Sequence, residues 1–196
     1  MKKIILLTAT LAAAVLWTGC GSNARYIQTG GSQSVVTIGQ LNDQDFIQAA
    51  DAATSDLLAA SVLERVPNPP AILAMSRIVN DTSQQINIEL LTRRIRVALL
   101  RSGKAMTMTT FAYGGVEDPL AKEVKQQQDF LDGLRTTPRL PDFTLSGRII
   151  QNTVRAGRTT QSTFTFQLVL TDRQGLGVWE SEKQITKQGT RSTVGF

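Results

Sequence analysis

Apolar residues first settle into a helical rhythm between Asp43 and Glu64, where Phe46, Ala50, Ala53, Leu57 and Ala60 fall on one face. Asn42 or Asp43 supplies a side chain suited to the N-cap, and Pro67, Pro69 and Pro70 stop the helix. The apolar run Ala71 to Val79 predicts a strand buried on both faces, and Asn80-Asp81-Thr82 turns the chain. The clearest helix spans Ile88–Ser102, with Ile88, Leu91, Ile95, Ala98 and Leu99 as its apolar stripe and Arg93, Arg94 and Arg101 off it. Asn87 stands at its start as a cap, and Gly103 suits the left-handed terminator. Ala105–Thr110 alternates as a short strand. Pro119 suits the first turn of a third helix running to Asp132, with Leu120, Val124 and Leu131 expected inward.

The last third of the chain changes period from helical to two. Phe143, Leu145 and Ile149 alternate with polar neighbours, as do Phe164, Phe166, Leu168 and Leu170, and Val178 to Thr186 forms a last strand. Asn152–Thr160, carrying Gly157, and Asp172-Arg173-Gln174-Gly175 read as the two connections of an antiparallel meander, and the chain is expected to fray from residue 188. The expected fold class is therefore α/β (α+β): one domain with a four- to five-stranded, mostly antiparallel or mixed sheet and about three helices. No internal repeat is evident.

Ahead of this domain the pattern is that of an exported lipoprotein. Lys2 and Lys3 make a positive start, and Ile4 to Trp17 is apolar but for Thr8 and Thr10. The stretch is shorter than the ~20 residues that span a bilayer comfortably. It ends at Trp17-Thr18-Gly19-Cys20, which resembles the bacterial lipobox in its small residue before cysteine and departs from it at Trp17. Residues 1–19 thus read as a signal peptide and Cys20 as the acylated residue, with acyl chains that give stable membrane anchoring. Residues 20–42 form the lipidated cysteine and a Gly/Ser/Gln tether, whose residues 21–41 reach at most ~70–75 Å. Residues 43–189 form the domain and 190–196 a tail. Gly21 after the cysteine is compatible with outer-membrane sorting and a lipid-anchored protein on the periplasmic face.

Composition narrows the chemistry. The 196 residues contain no histidine and one cysteine, which excludes a Ser–His triad, a Cys–His nucleophile, an intrachain disulfide and a thiolate metal cluster. No cofactor or metal is called for. The net charge is +5, two units of it from Lys2 and Lys3, too mild to argue for nucleic acid. Glu180 and Glu182 sit two apart on one strand face; solvated strand residues explain them more simply than a glycosidase pair. Ser102-Gly103-Lys104 follows a helix instead of opening one, contrary to a phosphate loop. Arg93, Arg94 and Arg96 form a charged run suited either to a solvated face or to a partner, and Trp179 either packs on a helix or joins an interaction surface.

Several stretches together resemble the LpoB family, lipoprotein activators of penicillin-binding proteins. They are Asn80-Asp81-Thr82, Ile86-Asn87 and Leu91 to Lys104; then Phe143-Thr144-Leu145-Ser146-Gly147-Arg148-Ile149; then Val178 to Gly189; and the first helix with Asp45, Ala49, Leu57 and Leu58. The resemblance implies a TolB N-terminal-like sheet with helices packed on it, related to curli-secretion lipoproteins. It implies a non-enzymatic role: binding a bifunctional penicillin-binding protein from the outer membrane and stimulating peptidoglycan synthesis, with no small-molecule substrate. An envelope assembly or secretion component is the alternative. The tether departs from the long, Pro-rich tethers of the best-known members.

If Cys20 carries the anchor, Cys20→Ala should leave the protein soluble in the periplasm or held as an uncleaved precursor. Mass spectrometry of the wild-type N-terminus checks this, and an unmodified Cys20 would reject it.

Overall fold

The computed structural model of the chain describes residues 24–109, 118–132 and 140–190. The leader, Cys20 and residues 191–196 lie outside these, as does Thr110 at the end of the expected second strand. Three helices are described: α1 (Asp43–Ala59), α2 (Glu89–Ser102) and α3 (Pro119–Leu131). Five strands, β1 (Ala71–Asp81), β2 (Ala105–Thr107), β3 (Phe143–Ala156), β4 (Thr159–Asp172) and β5 (Gly177–Thr190), form one mixed sheet in the order β2-β1-β3-β4-β5. β1 is parallel to β2 and β3, and β3, β4 and β5 form the antiparallel meander. The class is α+β, as the residue periodicities predict.

α1 and α2 lie side by side against one face of the sheet. Phe46, Ala50, Ala53 and Leu57 of α1 and Leu91, Ile95 and Leu99 of α2 share one buried cluster with Leu73, Leu145, Ile149, Phe164, Phe166, Leu168 and Leu170 of the strands. The Phe46 and Phe166 rings meet edge to face at 5.9 Å. Gly147 has no room for a side chain: a Cβ there would stand 2.3 Å from the Gln167 carbonyl oxygen, beside the register shift between Met75 and Ile78. By strand alternation the opposite face presents Thr144, Ser146, Thr163, Thr165, Gln167 and Gln184 over β3, β4 and β5, and the buried Ile72 and Ala74 over β1.

Several boundaries differ from expectation, each for a physical reason. α1 stops at Ala59 and Ala60 is exposed; Ser61 turns left-handed (φ 52°), so that Val62 and Leu63 bury in a separate 3-10 turn, Val62–Arg65. Asn42 is the N-cap and forms a reciprocal capping box with Asp45. β1 is buried on both faces only over Ala71–Met75, and it continues through Asn80 and Asp81 before the turn. Along α2, Ile88 and Ala98 are half-buried and Thr92 takes a buried place. Leu120, Val124 and Leu131 of α3 are 68%, 46% and 73% exposed, contrary to the inward face expected of them. Periodicity specifies that a helix has an apolar stripe; it does not specify what the stripe meets. Asp118 caps α3 and donates its backbone N–H to the Thr109 carbonyl.

The largest difference is in the meander. Asn152–Thr160 is not a loop: β3 and β4 pair throughout, leaving Gly157 and Arg158 as a two-residue turn with the glycine first (φ 58°), as in a type II′ hairpin. Likewise β5 pairs to Thr190, beyond Thr186. These ends outrun the helices, so no core marks them with alternating hydrophobicity.

The end of the tether is docked on this extension. Leu41 is buried, its backbone N–H and carbonyl both bonded to the Gln84 side chain. Lys187 of β5, 8% exposed, donates to the Gln40 carbonyl and to the Asp45 carboxylate, with the Phe164 ring 5.9 Å from its Nζ. Lys187→Met should lower the unfolding free energy by about 3–5 kcal/mol, because Asp45 is left charged and buried without its partner. Adding Asp45→Leu should restore most of that loss, less about 1 kcal/mol for the broken capping box. Denaturant titration of the single and double variants measures both effects.

Candidate functional site

α2 turns Leu91, Ile95 and Leu99 into the core, and helical geometry then sets Leu90, Arg94, Val97 and Arg101 on the flank beside α1. Arg93 borders the same flank. With Asp43, Phe46 and Ile47 from α1 and Thr29 from the tether they line a groove of ≈ 470 Å³. Its apolar surface is partly open to solvent, Leu90 being 48% and Val97 39% exposed. Arg94 spans the helices, donating from Nε and Nη2 to the two Asp51 carboxylate oxygens at 2.9 and 3.1 Å. That hydrogen bond and the Asp51 charge hold the guanidinium above its ordinary pKa. Arg93 and Arg101 have no ion-pair partner among the described residues, so the groove keeps a net positive rim despite Asp43.

Of the residues singled out from sequence, the fold brings Arg93 and Arg94 together here. Arg96 lies on another side of α2, half-buried, and Trp179 is remote from the groove on β5, its indole N–H donating to Asp56 of α1 at 3.1 Å. Leu90, Val97 and Arg101 belong with the site and were not among the candidates. The signal for them was present: two leucine-sized apolar residues among arginines on the polar side of an amphipathic helix.

The family profile described as "Peptidoglycan-synthase activator LpoB" matches residues 45–185. The chain belongs to the LpoB family. Among solved structures it is similar to the LpoB C-terminal domain from Salmonella enterica, with 18% identity and a TM-score of 0.44 over 72% of this chain and 98% of that one. The LpoB C-terminal domain from Escherichia coli matches over the same shares with 16% identity and a TM-score of 0.43. The lipoprotein GNA1162 from Neisseria meningitidis follows with 14% identity and a TM-score of 0.36 over 64% of this chain and 88% of that one. No curated protein matches the chain.

Much of the sequence shared with the LpoB family builds the scaffold. The Asn80 side chain accepts from the Thr82 N–H and hydroxyl and donates to the Gln84 carbonyl, while Asp81 pairs with Arg148 at 3.2 Å. Gly103 ends α2 at φ 69°, and Lys104 pairs with Glu64 at 2.7 Å, so Ser102-Gly103-Lys104 is a helix terminator. Glu182 accepts hydrogen bonds from Gln167 and then Gln184, which hold its carboxyl below the ordinary pKa. A glycosidase general acid needs the opposite shift. Among the described residues, no three His, Cys, Asp or Glu side chains are grouped to hold a metal ion.

The helix orientation has a direct test. Ile95→Ala should cost about 2–5 kcal/mol through lost burial and a residual cavity. Arg94→Ala removes an exposed pair and should cost under ~1 kcal/mol. Thermal or urea unfolding of the two variants distinguishes them, and equal losses would contradict the helix face described.

Proposed function

We propose that this LpoB-family chain is a tethered docking protein: anchored at the outer membrane through Cys20, it binds a bifunctional penicillin-binding protein through the α1/α2 groove and stimulates it. The observation that carries the docking site is the conjunction in one groove of exposed Leu90 and Val97 with Arg93 and Arg101. Apolar anchors bordered by arginine are suited to a protein surface carrying acidic and apolar side chains, and arginine is enriched at interaction hot spots. Stimulation then requires tighter binding to the active state of the synthase than to the inactive one.

The tether sets the reach. Thr29 lines the groove, the Gly30 backbone lies against the Gln44 side chain, Val35 accepts a hydrogen bond from Asn42 and Leu41 is buried, so the length between Cys20 and Thr29 sets the reach. Such a length extends roughly 30 Å at most. The synthase must therefore approach the anchoring membrane to be engaged.

Arg93→Glu combined with Arg101→Glu should weaken binding to the cognate synthase by at least about ten-fold, with k-on affected most at low salt, and lower the stimulated rate of glycan polymerisation accordingly. Lysine at both positions should retain most of the charge effect. Surface-plasmon binding and a polymerisation assay on the purified pair measure this. Unchanged binding by the glutamate variant would remove the groove from the interface; failure of the wild-type chain to bind any bifunctional synthase of its host would favour an envelope-assembly role.

A further inference from the structure

β5 closes one edge of the sheet and is bare on its outer side. It runs for 14 residues, Gly177–Thr190, where the strand at the other edge, β2, has 3. β4 takes the hydrogen bonds of one side of β5, and among the described residues no backbone hydrogen bond reaches the other. Glu182, Gln184, Thr186 and Gln188 are exposed along it. A long strand with an open edge is a template for a further strand unless something blocks it. The usual blocks are weak here. No proline interrupts residues 177–190, and the register shift against β4 lies at the start of the strand, opposite Leu170 and Thr171. Lys187 points to the helical side, where an added strand would cover it, but its charge is already buried against Asp45 and loses no water.

The strand's own charges narrow what lies on this edge. A second copy related by a two-fold axis normal to the sheet adds β5 to β5 antiparallel, and one residue then faces itself on the axis. Directly opposed residues share a face and touch, so like charges must not coincide. An axis at Ser181 sets Glu180 against the partner's Glu182. At Glu182 or Lys183 it sets a charge against itself, and at Ile185 it sets Lys183 against the partner's Lys187. An axis at Gln184 avoids all of these. Residues 178–190 then pair end to end, with about a dozen new backbone hydrogen bonds. Glu182 faces the partner's Thr186 and Glu180 the partner's Gln188, so each carboxylate meets a hydrogen-bond donor. Trp179 falls beside the partner's Gly189, whose bare backbone an aromatic neighbour covers.

We infer that the outer edge of β5 is an interface between two copies of this chain, paired antiparallel about Gln184 so that two five-stranded sheets become one. The inference does not rest on the docking reading of the α1/α2 groove.

Light scattering and native mass spectrometry of the detergent-solubilised full chain test it. The wild-type chain should dimerise as its concentration rises to about 100 μM. Gln184→Lys should raise the dimer Kd at least about ten-fold, because like charges then meet on the axis, and Gln184→Glu should do the same. Mixing these two variants should restore a heterodimer, whereas chains that merely share a micelle would not respond to residue 184. Circular dichroism of each variant reports that the sheet is intact. Register has its own readout. Paired residues of antiparallel strands lie within disulfide reach, so Gln184→Cys should link two copies through residue 184 on mild oxidation, identified by peptide mass spectrometry, and Gln174→Cys in the β4–β5 turn should not. A chain that stays monomeric at about 100 μM would overturn the assignment and hand the edge to an extended segment of another protein. Undiminished dimers of both charged variants, no heterodimer in their mixture, or no link through residue 184 would overturn it as well.

Discussion

The buried pair of Lys187 and Asp45 ties three separate parts of the chain to one point. Lys187 comes from near the end of β5, Asp45 from the first turn of α1, and the Gln40 carbonyl from the docked end of the tether. Two charges placed below a tenth of their exposed surface are tolerable only when each is matched and hydrogen-bonded. Asp45 meets this by accepting from Lys187 and from the Asn42 N–H together; Lys187 meets it with a carboxylate, a carbonyl and the Phe164 ring. A slide of α1 along the sheet would break all of these at once. The pair therefore fixes the height at which the helical layer begins, and with it the length of sheet left uncovered beyond.

That uncovered length shapes the surface of the domain. Because α1 starts at Asp43 and the strands run on to Ala156, Thr159 and Thr190, the sheet projects past its helices. The projection is where the tether docks and where a second cleft, lined by Gln151, Arg155 and Arg158 among others, opens. The α1/α2 groove, in contrast, arises where two helices share a core and their outer flanks diverge. One layer of helices on one face of a sheet thus leaves two clefts of different chemistry, one apolar with an arginine rim and one lined mostly by polar side chains. The groove is lined mainly by the two helices, whereas the cleft combines strand residues with Ser83, the Gly157–Arg158 turn and Ile38 and Gly39 of the tether.

The arginines of α2 show how tertiary contacts divide one charged run into different roles. Arg94 is taken up by Asp51 and links the two helices; Arg93 and Arg101 remain at the groove with no ion-pair partner among the described residues; Arg96 faces elsewhere. Trp179, which as a lone aromatic invited an interaction role, is tied to Asp56 under α1. The stretches that resemble the LpoB family divide likewise: Asn80, Gly103 and Gly147 serve a turn, a helix terminus and a close backbone approach, while Arg93, Val97 and Arg101 of the Leu91 to Lys104 stretch line the α1/α2 groove.

By itself the amino-acid order determined the three helices, the switch from helical to alternating period, the capping asparagine and the left-handed glycine, since each depends on neighbours within a few positions. It also determined what the chemistry could not be, through one cysteine and no histidine. It placed the arginine-bearing helix correctly and its core face correctly. Tertiary structure alone decided the rest. The polar stretch Asn152–Thr160 is strand because its backbone pairs with a neighbour in the sheet, not because its side chains alternate. The α3 stripe is exposed because amphipathic spacing marks a face without supplying a surface to cover it. Asp45 and Lys187 lie 142 positions apart, and only the closing of the meander onto α1 brings that carboxylate and that ammonium within one hydrogen bond.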